Sequence, residues 1–272
     1  MNLLTDALIV LKETSRTFYI PIARLPEELR EAVTSAYLCM RAIDDIEDAP
    51  DLSRDCKIRL LQEISIALQM ATEGETFERL SQSLRAEPYP LPEVSVRVGE
   101  WAKLAPPTIA PRIWEATAAM GDRMGYWATR NWTVRTEADL NCYTFSVAGA
   151  VGLLLSDLWA WYDGTQTNRT HAVGFGRGLQ AVNILRNHKD DLQRGVNFFP
   201  DGWTAEQMQT YARMNLALAD TYTKALPSGP ALDFCQIPLR LAHATLNVLA
   251  VGEEKLSRSA VVALVKELTG SK

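Results

Sequence analysis

Nearly every stretch of this chain repeats its apolar residues at the 3.6-residue interval of a helix, and runs with strand-like alternation are scarce. That periodicity predicts an all-α protein. Helices are expected at 3–13, 26–46, 54–73, 93–103, 111–128, 136–162, 170–193, 204–225, 231–251 and 256–269. SRTFYIPIARLP (15–26) reads as a break carrying two prolines, and EPYPLPE (87–93) and APPTIAP (105–111) read as loops. Asp51 or Ser53 is the expected cap of the helix from 54. DGTQTNR (163–169) is turn-like, and GVNFFPDGW (195–203) closes the helix before it. With 272 residues, 47% of them apolar, the chain can bury a large core. No repeat or strong linker divides it, so 1–272 reads as one domain.

Two of these helices carry a polar stripe. On the first, Tyr37, Arg41, Asp44 and Asp48 share a face, while Ile43 and Ile46 lie away from it. Asp44, Asp45, Glu47 and Asp48 crowd carboxylates into one helix end, where they repel one another. An i,i+4 carboxylate pair suits Mg²⁺ ions whose remaining ligands are water and phosphate oxygens. A solvated acidic helix end is the plainer alternative, and Arg41, set in an apolar helix one turn earlier, weighs against it. On the second helix Gln180, Asn187 and Asp191 fall within about 40° of one another, with Asn183 beside them. Asp190 is adjacent, and Arg186 and Lys189 offer charge to a phosphate. An ordinary polar helix end before a Gly turn would look similar. Gln180 and Asn183 lie among Leu179, Val182, Ile184 and Leu185, however, and buried amides require partners.

A third stretch, NCYTFSVAGAVG (141–152), has small residues at Ala148, Gly149, Ala150 and Gly152. These admit either another helix or an elongated ligand. Tyr143, about one turn before Val147, directs its hydroxyl to the same place if that place is a cavity.

The net charge of −5 and pI near 5.4 argue against a nucleic-acid surface, while local cations leave an anionic substrate open. Cys39, Cys56, Cys142 and Cys235 lack CxxC spacing and read as reduced core thiols of a cytoplasmic protein. MNLLTDALIVLKETSR has neither the basic start nor the cleavage site of a signal peptide. The longest apolar run, Val147 to Leu155, is about half of a spanning helix.

Taken together, SRTFYIPIARLP, YLCMRAIDDIED, YTFSVAGAVG and QAVNILRNHKDDLQRGVNFFP resemble the ordered blocks of the squalene/phytoene synthase family. FCQIPLRLAHATL (234–246) is similar to its squalene synthase branch. The resemblance covers most of the chain. It implies the isoprenoid synthase fold, one helical domain around a central apolar cavity with two Asp-rich helices at its mouth. It also implies Mg²⁺-dependent head-to-head joining of two prenyl diphosphates, foremost farnesyl diphosphate, to presqualene diphosphate, squalene or a related C30 product.

Residue by residue, Asp44 and Asp48 match the first set of metal ligands, and Asn187 and Asp191 stand in the second. Ser15, Arg16 and Thr17 match the diphosphate-contacting block, and Arg41 the arginine of the first motif. Gln180 and Asn183 match polar cavity residues, and Tyr143 the tyrosine assigned to proton removal or carbocation steering. Tyr37, Arg186, Lys189 and Arg194 complete the expected substrate contacts, and Phe18 and Phe145 are candidate lining. Ionising an allylic diphosphate calls for cations at the leaving anion and a dry wall around the carbocation. A prenyl substrate also favours loose, peripheral membrane association.

Two positions depart from the pattern. Asn187 stands where the family has an aspartate, and Val196 where it has an arginine. A neutral amide holds Mg²⁺ more weakly than a carboxylate, and Arg194 is a cation close by in sequence. The departures keep two further readings open, a terpene synthase-like enzyme acting on one prenyl diphosphate and a non-catalytic assembly or lipid-binding factor. The sequence leaves NADPH use, product length and oligomeric state open.

Overall fold

A computed structural model describes residues 2–70, 74–253 and 255–270, except for the side chain of Arg16. Every regular element among the described residues is a helix, as the periodicity predicts. They form two compact units, residues 1–131 and 132–272.

In the first unit α1 (Leu3–Thr14) buries Leu4, Ala7 and Leu11 and ends at Ser15, whose extended backbone starts a new helix. The Ser15 hydroxyl accepts from the Phe18 backbone N–H at 3.2 Å, which opens α2 (Arg16–Ala23). The expected break at 15–26 is therefore mostly helical. Pro21 lies inside α2, where it removes a single i→i−4 bond from a helix of two turns, and Pro26 heads α3 (Glu27–Asp48).

Helix α3 is the centre of this unit, with Leu29, Leu38, Ile43 and Ile46 fully buried. Ser53 rather than Asp51 caps α4 (Arg54–Gln69). Helix α5 (Gly74–Arg85) occupies a stretch that the periodicity left unassigned, and it buries Phe77, Leu80 and Leu84. The helix expected at 93–103 is divided at Arg97 into α6 (Glu93–Val96) and α7 (Val98–Lys103). Arg97 lies over the Trp101 ring at 4.2 Å and bonds Asp6 and Glu100. Both short helices bond α3: Ser35 Oγ of α3 donates to the Trp101 carbonyl of α7 at 2.7 Å, and Ser95 Oγ of α6 donates to the Ala42 carbonyl of α3 at 3.0 Å. Helix α8 (Ala110–Thr129) packs on α3 and α4.

In the second unit Thr136 and Asp139 form a capping box at α9 (Glu137–Thr144). The helix runs on through a π-helical turn, Phe145–Gly149, into α10 (Ala150–Asp163). By length and composition alone, Glu137–Asp163 could cross a membrane, which the short apolar run at 147–155 does not suggest. Within the unit it is a packing helix, with Leu154, Leu158 and Trp159 buried. Helix α11 (Arg169–Gln193) crosses it closely, because a Cβ at Gly176 would lie 2.1 Å from the Ala148 carbonyl oxygen and one at Gly152 2.1 Å from that of Ala172. The small residues at 148–152 thus receive a helix. On its other side α11 meets α12 (Ala205–Ala225), where Gly174 and Gly178 admit Leu218 and Leu216. Helices α13 (Pro230–Ala250) and α14 (Arg258–Thr269) complete the unit.

Cys39 and Cys235 are buried thiols as expected, and burial pushes the Cys39 thiol up to about 12. Cys56 is only half-buried and Cys142 is exposed, so neither is a core thiol.

The helix crossing gives a paired expectation. Gly176→Ala forces a methyl into a backbone oxygen and should cost about 1–3 kcal/mol. Gly125→Ala, in α8 with nothing within 4 Å of the new methyl, should be neutral or stabilise by up to about 1 kcal/mol. Urea midpoints at unchanged m-value measure both, and equal midpoints for the two variants would contradict the close crossing.

Candidate functional site

At the end of α3 the first unit gathers most of the residues expected there. Tyr37 packs on Phe18 with ring centroids 5.7 Å apart, and its hydroxyl interacts with the Ser15 side chain. Burial raises the Tyr37 pKa, against the opposing pull of Ser15 and of Arg41. Arg41 pairs one turn on with Asp45, and its Nε is buried without a hydrogen-bond partner. Burial alone would lower the Arg41 pKa; Asp45, Asp44 and Tyr37 together raise it.

Asp44 feels the same burial with the opposite sign. Its pKa is pushed up to about 7, chiefly by desolvation and further by Asp48 and Asp45, with Arg41 opposing. Asp48 is exposed at the helix end and lines a recess of about 310 Å³ with Asp45, Asp51 and Tyr89. Lys57 donates to the Glu47 carbonyl at the same end. Thr17 is exposed, and Ser15 serves as the cap of α2 as well as the neighbour of Tyr37. The Arg16 side chain lies outside the described residues.

Two carboxylates one turn apart beside an orphaned guanidinium N–H suit Mg²⁺ and a phosphate group. The donor set therefore fits Mg²⁺ at Asp44 and Asp48.

The second unit treats its motif differently. Asp191 is buried and bonded through Oδ1 to Arg194 Nη2 at 2.5 Å. Arg186, which is exposed, donates from Nε to Asn187 Oδ1 at 3.2 Å and from Nη2 to Asn183 Oδ1 at 2.8 Å. Asn187 Nδ2 donates to Asn183 Oδ1 as well, at 3.2 Å. Gln180 is half-buried, while Lys189 and Asp190 are exposed. In this arrangement the oxygens of Asn183 and Asn187 and one oxygen of Asp191 are each engaged by an arginine. As it stands, that donor set does not fit a divalent cation.

Periodicity alone does not find the segment that follows α11. Phe198 stacks on Tyr143 with centroids 4.4 Å apart and planes 18° apart, and Phe199 stacks on His188 at 3.9 Å and 13°. Burial lowers the His188 pKa, with Asp191 opposing. GVNFFP therefore ties the α9 tyrosine to the motif helix. The paired aromatics before Pro200 were its sequence signal.

Tyr143 itself is buried one residue before Thr144, whose hydroxyl lies 3.1 Å from Tyr211 OH. Tyr211 donates to Asn141 Oδ1 at 2.9 Å, and Arg177 Nη2 donates to the Asn141 carbonyl at 3.1 Å. This polar network anchors α9 just ahead of the π-helical turn, a feature common at functional sites. Phe145, half-buried in that turn, lies 6.0 Å from the Arg177 guanidinium.

Comparison with known proteins identifies the fold and the lineage. The family model for squalene/phytoene synthase matches residues 11–210. Squalene synthase of Schizosaccharomyces pombe is 31% identical over 268 residues, 87% of this chain and 57% of that protein. Human squalene synthase is 27% identical over 95% of this chain and 68% of its own length. The chain thus spans under two thirds of the S. pombe protein. A solved complex of TcSQS with a ligand superposes with a TM-score of 0.79 at 24% identity, over 97% of this chain and 85% of that one. A dehydrosqualene synthase complex superposes with a TM-score of 0.61 at 17% identity, covering 98% and 95%. The helical fold is that of these synthases, and the chain belongs to the squalene/phytoene synthase family.

Proposed function

We propose that this protein is a prenyltransferase that joins two prenyl diphosphates head to head, with farnesyl diphosphate as substrate and presqualene diphosphate, squalene or a related C30 isoprenoid as product. The observation that carries the reading is the grouping of Ser15, Tyr37, Arg41, Asp44 and Asp48 at the end of α3 in a chain of this family. Residues 1–272 are taken to work as one catalytic domain.

In this reading Asp44 and Asp48 hold Mg²⁺, which when bound supplies positive charge to the leaving diphosphate. Arg41 is already oriented by Asp45, so its guanidinium charge stands beside Asp44 for a diphosphate bound there. Ser15 and Tyr37 supply hydroxyls on the same side, and Thr17 and Arg16 sit on the first turn of α2 beside them. Tyr143, fixed by Phe198 and by the network at Asn141, offers an aromatic face to a carbocation and a hydroxyl for proton movement. Gln180 is a further polar contact, with Lys189 and Arg194 adding charge for the diphosphates. Loose association with a membrane surface would supply the lipid-soluble substrate, and NADPH enters only if the C30 diphosphate is reduced.

The amide at position 187 favours a second reading, in which one prenyl diphosphate is ionised and quenched. Incubation with farnesyl diphosphate and Mg²⁺, with and without NADPH, separates the two. The expected product has thirty carbons; fifteen-carbon products alone would sink head-to-head coupling, and no turnover under any condition would point to a non-catalytic role. Asp48→Ala should lower kcat about 100-fold or more while the fold persists, a loss near 3 kcal/mol of transition-state stabilisation. Steady-state kinetics with a circular dichroism control measure it.

The raised Asp44 pKa sets a pH dependence. Below about 7 the metal-free carboxyl is protonated and above it is anionic, so metal competes with a proton. Mn²⁺ affinity, titrated on the isolated protein, should rise as pH goes from 6 to 8. Stability of the metal-free protein should fall between the ordinary carboxylate range and about 7, since the folded state binds the extra proton there. A flat Mn²⁺ affinity over that interval would contradict both.

A further inference from the structure

Arg186 is held by amides of its own helix. Its Nε–H and one Nη2–H point back along its own helix to the oxygens of Asn187 and Asn183, at 3.2 and 2.8 Å. The residue is exposed and both amides are half-buried. A guanidinium carries five N–H donors in a rigid plane, so three remain on its outer edge. Amide oxygens orient that plane without cancelling its charge. An aspartate at either position would form an ion pair and cancel it. The neutral residue that weakens this motif for metal therefore leaves a full positive charge standing there. Asp190, one turn on along the same face, is exposed, and Asp191, on another side of the helix, is buried and joined to Arg194.

We propose that Arg186, clamped by Asn183 and Asn187, is an oxyanion fork that binds a substrate diphosphate directly at this motif, in place of a divalent cation. The inference rests on the prenyl diphosphate reading for the identity of its ligand. Its outer N–H groups match two oxygens of one phosphate, the bidentate geometry that guanidinium offers and an ammonium does not. A cation placed at Asn187 would have to displace hydrogen bonds already made and would sit against the guanidinium charge.

The test is binding of inorganic diphosphate to the full chain in excess EDTA, followed by calorimetry, together with a count of bound Mn²⁺ by electron paramagnetic resonance. Wild type should bind diphosphate without metal, and Arg186→Gln should weaken that binding at least tenfold. Arg186→Lys, which keeps the charge and loses the fork, should also weaken it. Asn187→Asp should lower metal-free affinity and add Mn²⁺ to the count. Unchanged diphosphate affinity in Arg186→Gln overturns the proposal, as does full retention in Arg186→Lys or loss of a wild-type Mn²⁺ on Asn187→Ala. The measurement needs no turnover. A protein that passes it but yields no C30 product keeps the fork and loses the prenyltransferase reading, and one that makes C30 product yet binds diphosphate independently of Arg186 does the reverse.

Discussion

The hardest physical demand in this molecule is the concentration of negative charge at the C-terminus of α3. Carboxylates are disfavoured there twice, by one another and by the negative end of the helix macrodipole. Helix α3 has no basic residue in its last turn to offset them. Arg41 one turn back pairs with Asp45, and Lys57 from α4 reaches the Glu47 carbonyl, yet the Asp44 carboxyl still rises to about 7. Most of α3 upstream is buried, with hydroxyl hydrogen bonds to Trp101 and Ala42 tying it to neighbouring segments. The packed body of the helix can hold an end that electrostatics would otherwise loosen. In the proposed reading a bound cation would offset that repulsion directly.

In the second unit the constraint is steric. Helix α11 lies so close to the segment at 148–152 that backbone carbonyls occupy the space of a Cβ at Gly176 and Gly152. Such a crossing fixes the register of α11 against α9 and α10 to within one residue. Phe198 and Phe199 then fold back over Tyr143 and His188. Register thus decides which α11 side chains share a side with Tyr143, and the polar network around Asn141 holds that tyrosine's helix in place.

Much of this was legible from sequence because it follows from periodicity. The positions of α3, α8, α11, α12 and α13 match the apolar spacing to within a residue or two, and the stripe of Tyr37, Arg41 and Asp44 follows from 100° per residue. What was not legible depends on local competition. Pro21 reads as a breaker, yet with Ser15 capping the turn before it only one helical bond is lost. Helix α5 shows Phe77, Leu80 and Leu84 in a short, highly charged stretch led by a glycine, and its periodicity is too brief to stand out. The division at Arg97, where Asp6 is a partner distant in sequence, and the π-helical turn leave no mark in the periodicity. The stripes identified candidate residues, but a stripe cannot say which acceptor a guanidinium will choose.

That choice separates the two motifs. Arg41 pairs with a carboxylate among further carboxylates, so its surroundings are anionic and, in the proposed function, suit a metal. Arg186 bonds two amide oxygens, so its surroundings are cationic and call for an anion. The difference follows from chemistry rather than spacing, since both motifs have the same i,i+4 frame and both sit near a helix end. At a C-terminus the macrodipole opposes carboxylates and favours a cation, and the two motifs meet that field in opposite ways. In the proposed readings one would rely on a cation that arrives with the ligand, and the other carries its cation in the chain. A diphosphate bound at the first would depend on metal concentration and pH. A diphosphate bound at the second would depend mainly on ionic strength, because a guanidinium holds its charge across the physiological range.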